Sequence, residues 1–87
     1  MGEEKMKGSK QIQEYEELIA GEMLKMAVPF SSFSGFFVIW KDAGESRRYA
    51  LTVSMPGALD LFGRICKTSP VEVWKVRQGT ITRKVAG

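Results

Sequence analysis

No histidine occurs in the 87 residues. That excludes imidazole acid–base catalysis, Ser-His and Cys-His nucleophile pairs, and every imidazole metal site. A single cysteine, Cys66, makes neither an internal disulfide nor a thiolate metal cluster, and suits a reducing cytoplasm better than secretion. No hydrophobic run reaches the roughly 20 apolar residues of a membrane helix. The most apolar stretch, Ala27 to Trp40, is interrupted by Pro29, Ser31, Ser32, Ser34 and Gly35. Met1 to Lys10 mixes charges of both signs without an apolar segment, unlike a signal peptide. Gly35, Gly44, Gly57, Gly63 and Gly79 stand singly and form no phosphate-cradling loop. The expectation is a soluble, cytoplasmic, non-catalytic protein with no cofactor, no metal and no membrane partner.

What is present is ordinary for a globular domain: 44% of the residues are hydrophobic and 26% charged. A chain this short forms one domain of modest stability. Residues 1–8 are polar and contain nothing to bury, so they read as a mobile tail before a single domain at residues 9–87. The net charge of +3 conceals an asymmetry. Met1 to Glu45 carries five lysines against eight acidic residues, and Ser46 to Gly87 eight basic residues against Asp60 and Glu72. An acidic first half and a basic second half can present two oppositely charged surfaces.

Ile12, Tyr15, Leu18, Ile19, Met23 and Met26 recur at helical spacing after a capping Ser9, which predicts a helix over about 10–27, ended by Pro29. Phe33 to Trp40 predicts a strand apolar on both sides, so it is central or meets something beyond the core. Arg48 to Met55 alternates cleanly as a half-buried strand, with Tyr49, Leu51, Val53 and Met55 inward. Ala58, Leu59, Leu61, Phe62, Ile65 and Cys66 form a second helical stripe that starts near Ser54 and stops before Pro70. Val71 to Arg77 and Thr80 to Val85 flank Gln78-Gly79, a hairpin turn that pairs Arg77 with Thr80 and Val76 with Ile81. Continued without interruption, that register sets Trp74 opposite Arg83 and Lys75 opposite Thr82. The order α-β-β-α-β-β predicts an α+β domain of two layers, an antiparallel sheet with both helices on one face.

Cys66 has no histidine partner and falls near a helix end, where the dipole disfavours a thiolate, so it reads as a core residue. Nothing in the carboxylate spacing forms an acid–base pair or a metal site. The main positive signal is basic. Lys75, Arg77, Arg83 and Lys84, with Arg47 and Arg48 on the other hairpin, form a candidate cationic surface containing Trp74. Cations beside an aromatic suit single-stranded nucleic acid, although charges on edge strands also serve to prevent sheet-to-sheet aggregation. Phe36 and Trp40, within a cluster of aromatics, are a second candidate surface, for a protein partner or a homodimer. The acidic face of the first helix, with Glu14, Glu17 and Glu22, is a third.

No motif matches a family. In size, in lack of catalytic side chains and in element order the chain is similar in type to small proteins of bacteriophages and other mobile elements. Some of those, anti-CRISPR proteins among them, act by occluding a host complex. The expected function is therefore binding of a protein or a protein–nucleic-acid complex, with a small nucleic-acid-binding protein as the alternative.

Overall fold

The structure, a computed structural model, describes residues 2–87, with side chains from Lys10 onward except that of Phe30. The elements are α1 (Gly2–Lys25), β1 (Gly35–Lys41), β2 (Arg47–Thr52), α2 (Met55–Ile65), β3 (Val71–Arg77) and β4 (Thr80–Ala86), with a 3₁₀ turn at Phe30–Ser32. The strands form one antiparallel sheet in the order β2-β1-β3-β4, so the domain is α+β with the expected element order. The tail expected at residues 1–8 lies outside the residues whose side chains are described. As a backbone element α1 begins at Gly2, which puts Ser9 within it rather than at its cap.

The other end of α1 is set by its own backbone. Ala27 takes a left-handed φ of 59°, its N–H bonds the carbonyl of Leu24 at 3.0 Å, and the Val28 N–H reaches back to Met23 at 3.1 Å. This is a Schellman closure with alanine where glycine is usual, and it stops the helix ahead of Pro29.

Alternation along β1 divides the core in two. Phe37 and Ile39 point to one face and, with Val76 and Ile81, meet Tyr15, Ile19 and Met23 of α1. Phe36 and Val38 point to the other, where Val71 and Val73 join them beneath Ala58, Leu61, Phe62 and Ile65 of α2. The helices therefore lie on opposite faces, and the expected two-layer packing is corrected to helix, sheet, helix. The cause is visible in β1, whose apolar character on both sides demands cover on both. Topology agrees. Both β2 and β3 run antiparallel to β1, hence parallel to each other, and α2 is the crossover between them.

Several residues expected inside are outside. Val53 is 82% exposed, Met26 58%, Leu59 43% and Met55 36%. The strand β2 ends at Thr52 because the Ser54 hydroxyl caps α2, accepting the Gly57 N–H at 3.2 Å. Within α2, Ala58 turns to the sheet in place of Leu59. Cys66 is exposed at the C-cap of α2, its N–H bonding the carbonyl of Phe62 at 2.9 Å.

Candidate binding surface on the β3–β4 hairpin

Gln78 and Gly79 both take positive φ, 52° and 80°, the conformation a tight two-residue hairpin needs. Arg77 pairs with Thr80 and Val76 with Ile81, as the turn implies. The ladder then slips. Lys75 faces Arg83 instead of Thr82, and Trp74 faces Lys84 instead of Arg83, because β4 carries an extra residue between Ile81 and Arg83. That residue, Thr82, folds its hydroxyl onto the Lys75 carbonyl at 3.3 Å. A second slip sets Val73 opposite Ala86. Bulges of this kind twist an edge strand away from further pairing and re-aim its side chains.

The re-aiming separates the predicted basic surface into two. On the α1 side, Trp74 is half-buried, edge-on to Tyr15 at 5.9 Å, and its Nε1 donates to Glu72 Oε1 at 2.9 Å. Lys84 lies 5.7 Å from the Trp74 ring centre and 4.0 Å from Glu72 Oε2, and Arg47 is 3.8 Å from Glu14. Lys84 and Arg47 thus each have a carboxylate, while Lys41, opposite Arg47 on the same face, has none among the described residues. Arg48, at the far end of the sheet, pairs with Asp42 at 2.9 Å. The Arg48 bond, together with the Ser46 and Gly44 N–H groups, holds the Asp42 carboxyl below its usual range.

On the α2 side stand Lys75, Arg77 and Arg83. Residues paired directly across a ladder share a face, and so do residues two apart on one strand, so Lys75, Arg83 and Arg77 converge there. Among the described residues no carboxylate lies within ion-pair reach of any of them. Lys75 rests its ammonium 4.7 Å from the Phe36 ring centre. Like charges directly opposite each other on a sheet destabilise it, and among the described residues no carboxylate offsets them; Lys75 has only the Phe36 ring as a partner.

The other candidates are not open in the same way. Phe36 is 4% exposed and belongs to the core beneath α2, which corrects its reading as a contact surface; Trp40 packs half-buried beside it. On α1, Glu14 faces Arg47. Glu22 accepts from the Tyr49 hydroxyl at 2.9 Å and from Lys25 at 3.2 Å, bonds that lower its pKa in that order. Glu16, not singled out from sequence, accepts the Ile81 N–H at 2.9 Å and so ties α1 to the edge strand. Glu17 alone of the three predicted acids has no partner among the described residues.

An open groove of about 660 Å³ runs between α1 and the sheet, past Gln11, Tyr15, Lys41, Arg47 and Glu72. Glu72 is already engaged there by Tyr15 at 3.3 Å and by Trp74. Among the described residues no three Cys, Asp or Glu side chains converge to hold a metal ion, and no helix is long and apolar enough to cross a membrane. No family model matches the chain, and neither a curated protein nor a solved structure matches it.

Proposed function

We propose that the protein is a small, non-catalytic binding module that holds an anionic macromolecule on the α2 side of its β3–β4 hairpin, through Lys75, Arg77 and Arg83. The observation that carries this reading is the cross-strand pair of cations, Lys75 and Arg83, with Arg77 beside them and no carboxylate in reach among the described residues. An arrangement that costs stability in the free molecule is accounted for by a partner that supplies the missing charge. An inhibitor that occludes a host complex, the type suggested by size and element order, is one form of such a module. A nucleic-acid-binding protein is another. The position of the aromatics favours the first: Trp74 packs half-buried against Tyr15 on the opposite face, and Phe36 is 4% exposed, so among the described residues no base-stacking platform lies beside the cations.

Titration with polyglutamate and with oligothymidylate over a range of salt concentrations tests this. Salt-sensitive association is expected, and it should vanish in Lys75→Glu/Arg77→Glu/Arg83→Glu. If oligothymidylate is the better ligand, log K against log salt should slope at about −2, from three phosphate contacts on a single strand. Association undiminished by the triple reversal would remove the hairpin from the binding surface.

A further inference from the structure

We infer that the partner is a protein presenting an acidic segment with interleaved aliphatic side chains, and that this segment docks in the trough between α2 and β4. The inference rests on the binding role just given to Lys75, Arg77 and Arg83.

The trough has a cationic floor and an apolar wall. α2 packs over β1 and β3, which leaves the hairpin end of β4, with Arg83, exposed on that side. The wall is made by Met55 and Leu59, 36% and 43% exposed, one turn apart and so on one flank of α2. The connection from β2 through α2 to β3 is a crossover between parallel strands, which nearly always winds right-handed. In that hand, with α2 running back along β3, the step of about 100° from the sheet-facing Ala58 to Leu59 turns toward β4. Level agrees with direction. Met55 opens α2 just after Thr52, which lies opposite Phe36, which lies opposite Lys75, which lies opposite Arg83. Wall and floor therefore meet at the same end of the sheet.

The chemistry of the two surfaces selects the occupant. The floor supplies positive charge without a counter-ion among the described residues, so the occupant is acidic. The wall is aliphatic, methionine and leucine, so it matches apolar side chains and gives a base nothing to stack on. A second copy of this chain is a poor source of the acid. Among the described α1 carboxylates it offers only Glu17 free, one charge against three cations, because Glu14, Glu16 and Glu22 are committed to Arg47, the Ile81 N–H and Tyr49.

Two fluorescein-labelled peptides test the inference on the unmodified protein: one of repeating Glu-Leu-Leu-Glu, the other with serine for every leucine. The leucine peptide is expected to bind about tenfold more tightly, the return for burying roughly one leucine side chain. Binding should slow maleimide modification of Cys66, the sole and exposed thiol, which stands two turns beyond Leu59 on the same flank. Met55→Ser/Leu59→Ser should erase the advantage of the leucine peptide and leave the serine peptide unaffected. Arg77→Glu/Arg83→Glu should abolish both. Equal affinity of the two peptides, binding of neither, or tighter binding of oligothymidylate that ignores Met55 and Leu59 overturns the inference. In the first and last of these, the cationic face keeps its role as long as charge reversal still abolishes binding. Indifference to charge reversal overturns the underlying reading instead.

Discussion

Tyr15 fastens α1 to the sheet by both of its chemistries. Its ring sits 5.3 Å from that of Phe37 and 5.9 Å from that of Trp74. Its hydroxyl donates to Glu72 at 3.3 Å and accepts from Gln11 at 3.0 Å. Burial, then the neighbouring Glu72 charge, raises the phenol above its ordinary pKa. Tyr49 is raised as well, chiefly by the hydrogen bond it gives Glu22. A phenol whose pKa is raised by folding contributes stability that is complete below the unfolded value of 10.0 and lost as pH climbs through the folded value. Ultraviolet titration of tyrosinate should therefore show both phenols ionising above free tyrosine in the folded protein and at the ordinary pH in denaturant. Tyr15→Phe should cost about 1 kcal/mol, the net worth of a part-buried hydrogen bond, and leave a single phenol that still titrates high. A normal pKa for both phenols in the folded state would contradict these contacts. The helical place of Tyr15 was legible from its spacing with Ile12, Ile19 and Met23; its polar partners were not, since Glu72 is 57 residues away in the chain.

At the scale of elements, the β3–β4 hairpin shows where sequence reading stops. The Gln78-Gly79 turn and the first pairs beyond it follow from local chemistry, because a tight turn fixes register for its neighbours. The slip at Thr82 does not. A bulge is set by what the strand must cover, here Ile81 toward α1 and Val85 and Ala86 toward the α2-side core, and no residue type announces it. The slip moves Arg83 from beside Trp74 to beside Lys75 and brings Lys84 to Trp74, and so divides a predicted aromatic-and-basic surface between the two faces of the sheet. It follows that Arg83→Glu, which sets an opposite charge across from Lys75, should raise stability by up to about 1 kcal/mol while weakening association with polyglutamate. Chemical denaturation of the variant and the parent measures the first effect, and the titration described above the second. A loss of stability would mean that Arg83 has a structural partner and that its pairing with Lys75 carries no information about function.

For the whole molecule, one sheet serves two cores. The largest fully buried side chains are Phe37 and Val76 on the α1 side, with Ile19 of α1 itself, and Val38 and Val73 on the α2 side. All but Ile19 belong to the adjoining strands β1 and β3. The apolar residues on both sides of β1 were readable as a demand for two covers. That the second cover would be α2, and not a partner chain, depended on a crossover that only the strand order β2-β1-β3-β4 reveals. Sharing of strands has an energetic consequence: neither helix can leave without exposing one face of the sheet that the other needs intact. Ile19→Ala, a truncation at a fully buried α1 site, should cost about 2–5 kcal/mol, a large share of the roughly 5–15 kcal/mol typical of a folded domain. In a Trp40→Phe background, which leaves Trp74 as the sole tryptophan, unfolding of this variant can be followed on both faces of the sheet, by Trp74 fluorescence on the α1 face and by a fluorophore on Cys66 at the end of α2. The two signals should move together through one transition, shifted to lower denaturant but with unchanged slope. Should the aromatic signal melt first while the Cys66 probe keeps the midpoint of the parent protein, the two cores are separate cooperative units. In that case β1 does not couple α1 to α2, and a partner held against α2 would leave the stability of the α1 face unchanged.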